Sequence, residues 1–212
     1  MAEDYRYAPQ VFLQPDPTSA RAVILTPEQG LTSEERWSRE TEYLLGGARP
    51  RIAFPADALV LDYGCGMGRI AKQLPQAVLG VDISPTMRAH AEVYVNRASF
   101  SCVSQGMLAE FARAGLRCQG AVAVWVLQHC LDVERDIQLI ASVLAHGASF
   151  IVVNRRVRAV PVTDGVNINW WDDGADVDML LKRFFVKQRE EEMPAALCAP
   201  GSSIAYWQRN HI

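Results

Sequence analysis

Glycines 64, 66 and 68 alternate behind an aspartate in the string Leu61-Asp62-Tyr63-Gly64-Cys65-Gly66-Met67-Gly68-Arg69-Ile70. A glycine carries no Cβ, so such a backbone turns sharply and approaches a ligand closely, and the free N–H groups of a following helix start favour an anionic group. A dinucleotide site places its third glycine three residues after the second. Here the interval is two, and the carboxylate of Asp62 ahead of the first glycine suits a cationic ligand better than a pyrophosphate. Asp82, in Gly80-Val81-Asp82-Ile83-Ser84, follows Gly64 by 18 residues. That is close to the interval at which nucleotide folds place a carboxylate that accepts from the ribose hydroxyls. Asp82 would equally suit a cap for a helix beginning beyond Pro85.

His129, in Trp125-Val126-Leu127-Gln128-His129, is the candidate general base, because an imidazole is half-neutral near about pH 6.5. The alternative is a histidine that only orients its loop by hydrogen bonding. His90, His146 and His211 have no metal-ligand spacing and receive no function, and no metal is expected. Residues 155–174 read as a loop with two opposed chemistries. Trp170-Trp171 with Asp172-Asp173 would cage a cation, whereas Arg155, Arg156 and Arg158 would receive a carboxylate or phosphate. A third reading makes the same residues gap-filler, helix cap and solvated surface.

Short apolar runs alternating with helical stretches from residue 58 onward must position these groups, and that alternation is the mark of a mostly parallel sheet covered on both faces. Strands are expected over 58–62, 77–82, 99–103, 121–125 and 149–153, with two more near 184–191 and 203–209 joined in hairpin fashion past Pro194, Pro200 and Gly201. One helix is expected after Ser84-Pro85, with Met87, Ala91, Tyr94 and Val95 on one face. A second covers 132–145, with Ile137, Ile140, Ala141 and Leu144 on one face, and a third covers 175–183. Residues 1–31, rich in Pro, Gln and Asp, read as an arm. Thr32 and Glu35 then have capping-box spacing, and Trp37, Thr41, Leu44 and Leu45 line one face of a helix that stops at Gly46-Gly47. The division expected is an N-terminal arm and cap helix, 1–48, and a single domain over 49–212.

The chain has 212 residues, half of them hydrophobic and 21% charged, which is the composition of an ordinary globular protein with a core of its own. Its 21 basic and 24 acidic side chains leave a net charge of −3, so there is no broad cationic field for nucleic acid or an anionic membrane. No apolar stretch is long enough to span a bilayer. The five cysteines are odd in number and contain no Cys-x-x-Cys pair, which points to reduced thiols and a cytoplasmic location.

Taken together, Asp62-x-Gly64-x-Gly66-x-Gly68, Gly80-Val81-Asp82-Ile83-Ser84 and Val126-Leu127-Gln128-His129 resemble the motifs of the class I S-adenosylmethionine-dependent methyltransferases. The resemblance spans about residues 55–210. It implies a Rossmann-like α/β fold of seven strands in the order 3-2-1-4-5-7-6, one of them antiparallel, with S-adenosyl-L-methionine over the carboxyl ends of the first strands and S-adenosyl-L-homocysteine as product. It further implies that Gly64 and Gly66 lie at the methionine part, Asp82 at the ribose and Ile83 on the adenine, with Asp62 also among the cofactor-binding residues. Val124 and Trp125 would run along the cofactor. Gly68-Arg69-Ile70 and Trp125 to His129 are similar to the protein N-terminal methyltransferase branch, in which the arginine pairs with the cofactor carboxylate. Ser104-Gln105 stands where many members have an adenine-binding aspartate, and Gln105 can accept the same hydrogen bond. The expected acceptor is a small molecule, its methylated atom N, O or C. Protein or tRNA methylation, non-catalytic cofactor binding and a dinucleotide-dependent oxidoreductase are the alternatives.

Overall fold

The computed structural model describes residues 5–210. His211 lies outside the described residues. In chain order the main elements are β1 (Arg6–Tyr7), α1 (Pro17–Ile24), α2 (Ser33–Leu45), β2 (Leu59–Tyr63), β3 (Ala77–Val81), α3 (Pro85–Val95), β4 (Phe100–Val103), α4 (Gln105–Arg113), β5 (Cys118–Val124) and α5 (Val133–Val143). They continue with β6 (Leu144–Arg155), β7 (Val160–Thr163), β8 (Ile168–Trp171), α6 (Val177–Leu181), β9 (Phe185–Glu192) and β10 (Ser202–Arg209). Single 3-10 turns cover Pro9–Phe12 and Leu127–His129.

Seven strands form one sheet in the order β4-β3-β2-β5-β6-β10-β9. Counted within that sheet, the order is the expected 3-2-1-4-5-7-6. The first five strands pair in parallel, and β10 runs antiparallel between β6 and β9. The strands are apolar on both faces because both faces are covered. One face packs Leu61, Tyr63, Ala121, Phe150 and Trp207 against α4, α5 and α6. The other packs Val60, Val78, Val122, Ile151 and Ile204 with Leu44 of α2 and with Ala91 and Val95 of α3.

The capping box forms as the spacing predicts. Thr32 Oγ1 accepts from Glu35 N, Glu35 closes the box on Thr32 N, and Gly46 ends the helix. Trp37 packs edge-on to Tyr94, with ring centroids 6.0 Å apart.

Two segments differ from expectation. No regular helix follows Gly66, and residues 66–73 form consecutive turns. Gly64, Gly66 and Gly68 all have positive φ, at +69°, +54° and +85°, which is outside the right-handed helical region. In addition Ala71 N, which would bond back to a helical carbonyl, donates to Asp62 Oδ2 at 3.2 Å. The stretch 155–174 is not a plain loop but a hairpin of β7 and β8, and β1 adds to it as a third antiparallel strand. Its turn is set by Asp164, whose Oδ1 accepts from Val166 N and Asn167 N, and by Gly165 at φ +97°.

Candidate functional site

A cavity of about 660 Å³ opens beyond the carboxyl ends of β2, β3 and β5. This is the crevice in which open α/β sheets bind ligands, and its size lies within the range of about 300–1,000 Å³ common for small-molecule and cofactor sites. Gly64, Gly66, Asp82, Ile83, Gln105, Val124, Trp125 and His129 all line it. Asp62, Arg69 and Ser104 are absent from its walls.

The glycine loop is held by the end of β3, because Gly64 N and Cys65 N both donate to Val81 O, at 2.7 and 3.0 Å. Asp82 fixes the same loop from the side. Its Oδ2 accepts from Gly66 N at 2.9 Å and its Oδ1 from Ser84 N at 2.8 Å, while Ser84 caps α3. Each oxygen keeps a second lone pair, so one carboxylate can hold the loop and still accept from a vicinal diol. Burial pushes its pKa up, and the two backbone N–H groups and Arg88 oppose that rise. Next to it Ile83 is 44% exposed, an apolar face at the cavity edge of the kind that covers a flat ring.

The three residues off the cavity have structural work. Asp62 is fully buried beneath the loop, and desolvation raises its pKa to about 7. Its Oδ2 accepts from Ala71 N and pins the turn that follows the glycines. Ser104 caps α4 by accepting from Met107 N. Arg69, 3% exposed, gives its guanidinium to Glu40 Oε1 at 2.9 Å and to Thr41 Oγ1 at 3.3 Å. Glu40, fully buried on α2, also accepts from Trp125 Nε1 at 2.6 Å and from Arg36 at 3.3 Å. Arg69 therefore meets a protein carboxylate, not an open binding surface. Trp125 ends β5 at φ +58°, an uncommon left-handed position for a bulky residue, and its bond to Glu40 helps hold it there.

His129 sits on the 3-10 turn after β5. Its Nδ1 is 2.6 Å from Ala159 O, which can only accept, so the neutral ring carries its proton on Nδ1. Its Nε2 then takes the amide of Gln128 at 3.0 Å. Burial is the main cause that lowers its pKa, and the charge of Arg158 adds to the shift. Arg158, itself 2% exposed, binds both oxygens of Asp173 at 2.7 and 2.8 Å and also donates to Leu127 O and Cys130 O. The conflict in the 155–174 segment is thereby resolved, since its buried arginine and one of its aspartates satisfy each other. Arg155 and Arg156 are exposed, and Asp176 rather than the Asp172-Asp173 pair caps α6.

Sequence reasoning missed four contributions to the site. Tyr7 and Phe12 reach the cavity from the arm, and Ile24 of α1 lies against Gly66, where a Cβ would come within 2.6 Å of its Cδ1. Asp136 of α5 accepts on Oδ1 from Tyr63 OH at 2.6 Å and from Gln105 Nε2 at 2.8 Å. Gln105 thus spends its amide nitrogen inside the protein and keeps Oε1 as its acceptor. The only signal for Asp136 was its place in the first turn of α5, where acidic residues are common for helix-dipole reasons alone. Trp170 is tilted against the His129 ring with centroids 5.3 Å apart, and Phe12 lies 6.2 Å from the same ring.

Residues 61–152 match the family model described as a methyltransferase domain. No curated protein matches the sequence at a significant level. Among solved structures, the PH0226 protein of Pyrococcus horikoshii OT3 is similar at 18% identity and a TM-score of 0.64, over 89% of this chain and 96% of that one. The N-methyltransferase NodS of Bradyrhizobium japonicum WM9, solved with S-adenosyl-L-homocysteine, is similar at 14% identity and a TM-score of 0.57, over 94% and 95%. The [4+2]-cyclase SpnF is similar at 16% identity and a TM-score of 0.59, over 88% and 86%. The matched segment is thus a methyltransferase domain, and the fold of the chain is shared with solved structures that include an S-adenosylmethionine-dependent methyltransferase.

Proposed function

From that premise, we propose that the chain binds S-adenosyl-L-methionine in the cavity above β2, β3 and β5 and transfers its methyl group to a small molecule. Residues 1–48 act as arm and cap, and residues 49–212 as the methyltransferase body. The observation that carries the reading is the grouping of Gly64, Gly66, Asp82 and Ile83 on one cavity wall. Open glycine backbone suits an amino-acid tail, a buried carboxylate suits a ribose diol, and an exposed isoleucine suits an adenine face.

When bound, the cofactor supplies a methyl group on a sulfonium, which an acceptor atom takes by in-line displacement without an acid catalyst. The chain's own part is alignment and exclusion of water, effects worth about 7–11 kcal/mol in favourable cases. Trp125 and Val126 shape the floor at the end of β5. Tyr7 and Phe12 cover the site from the arm, which β1 ties to the hairpin through Tyr7 opposite Val162. Such a roof leaves room for a small acceptor and little for a folded macromolecule. The absence of a broad cationic field supports the same choice against tRNA.

The test is calorimetry with S-adenosyl-L-homocysteine and, separately, NAD. Binding of the first alone supports the proposal, and binding of NAD alone returns the chain to the oxidoreductase reading.

A further inference from the structure

We propose that the acceptor atom is an amine nitrogen, received by the carboxylate of Asp136 within a wall of aromatic rings. This inference rests on the methyl-transfer reading above and concerns the part of the same cavity that the glycine loop and Asp82 do not use.

The charges around the cavity are one-sided. Arg135 is the one Arg or Lys that lines it among the described residues, and that side chain is exposed. Arg158, the buried cation nearest His129, is consumed by Asp173 and two carbonyls. Asp136 stands on the opposite side of the account. Its Oδ1 holds Tyr63 and Gln105, the Cys130 thiol is a further neutral partner of the carboxylate, no Arg or Lys pairs with it among the described residues, and lone pairs remain on it to accept from a ligand. Tyr7, Phe12 and His129 line the same cavity, and Trp170 packs edge-on to Phe12 and tilted against His129. A carboxylate with aromatic faces attracts a cation, and it repels a carboxylate or phosphate ester.

The base decides among the remaining acceptors. A hydroxyl or a carbon acid must lose a proton before or during attack. His129 would be the base, yet its Nδ1 proton points to Ala159 O and its Nε2 lone pair is covered by Gln128. Tyr7 has a phenol pushed up to about 12 by burial and nearby negative groups, so it stays neutral. An amine that arrives as an ammonium gives one proton to the Asp136 carboxylate, which passes it to water, and the neutral amine left behind needs no further base. Its lone pair forms the N–C bond to the methyl carbon while the C–S pair returns to sulfur, so the positive charge moves from sulfur to nitrogen. The new ammonium then passes one proton through Asp136 to water. Asp136 and the ring faces thus stabilise charge where it develops.

The test combines three readouts on the full chain. The protein is incubated with CD3-labelled S-adenosyl-L-methionine and a small-molecule cell extract, and labelled products are fragmented in a mass spectrometer. Label in iminium fragments is expected, whereas label on oxygen or carbon overturns the inference. Next, D136N is compared with wild type. Labelling should fall at least about tenfold while affinity for S-adenosyl-L-homocysteine stays within about threefold, in keeping with loss of a charged hydrogen bond to the acceptor alone. A parallel loss of homocysteine-product affinity would assign Asp136 to the cofactor and overturn the inference. Finally, in the wild-type product complex, 2-phenylethylamine should bind at least about tenfold tighter than phenylacetate, a matched pair of opposite charge. Equal or reversed preference overturns it. Failure of the product itself to bind would instead defeat the underlying methyltransferase reading.

Discussion

Glu40 makes the sharpest test of how the cofactor loop is held. Its side chain is fully buried and serves Arg69, Arg36 and the indole of Trp125 together. The E40Q variant keeps the shape but leaves two guanidinium groups, 4% and 5% exposed, without their shared charge, and its amide N–H₂ must face one of them. Removing one partner of a buried pair costs about 3–5 kcal/mol. Two retained hydrogen bonds, and the second carboxylate that Arg36 meets in Glu28 at 3.3 Å, place this case at the low end, about 3 kcal/mol. For a chain of this size that lowers Tm by about 6–12 °C. The assay is thermal and urea unfolding of both proteins, with S-adenosyl-L-homocysteine affinity measured alongside. If Glu40 holds Arg69 as described, freeing Arg69 will not tighten the ligand, because Trp125 loses its anchor at the same time. A stability loss below about 1 kcal/mol, or a gain in affinity, would refute the reasoning and return Arg69 to the cofactor carboxylate.

Other outcomes follow from the same geometry. D82A should weaken S-adenosyl-L-homocysteine by about 10–150-fold, the equivalent of about 1.5–3 kcal/mol for charged hydrogen bonds, as read by calorimetry. D62N should leave that affinity within about threefold, since Asp62 lies off the cavity. Its folded pKa of about 7 is raised, so the wild type loses this contribution to stability as pH climbs from about 4 through 7. Urea midpoints at pH 5 and 8 should show D62N relatively more stable at pH 8. His129 has the opposite sign for stability, because its folded pKa is depressed and the unfolded chain binds the extra proton. Stability should fall as pH drops below about 6.5, and H129N should flatten that slope.

The parallel sheet was legible because its strands are short apolar runs separated by helical periods, and each observed strand overlaps its expected span. Glycine and aspartate positions at the ends of β2 and β3 were legible for a related reason, since left-handed φ and close backbone approach leave few residue choices. The burial of Asp62 and Arg69 off the cavity was not legible, because a motif gives a residue's position on the chain and not the direction of its side chain. Glu40 and Arg36 are charged residues whose types give no sign of burial, and only the packing of α2 against the turn after Gly68 buries them together. The β7–β8 hairpin was hidden by its surroundings. Val160 and Val162 are buried by tertiary packing, while all four residues of β8 are exposed, so no clean alternation marks the pair. Tyr7 and Phe12 carried no local signal at all, because β1 is two residues long and exists only by pairing with β7.

The most direct measurement is titration of the intact protein with S-adenosyl-L-homocysteine, followed by a crystal of the complex. One molecule per chain should bind, with its ribose on Asp82, its adenine on Ile83 and its amino-acid tail along Gly64 and Gly66. A ligand that leaves Asp82 untouched, or a protein that takes up none at millimolar concentration, would contradict the account.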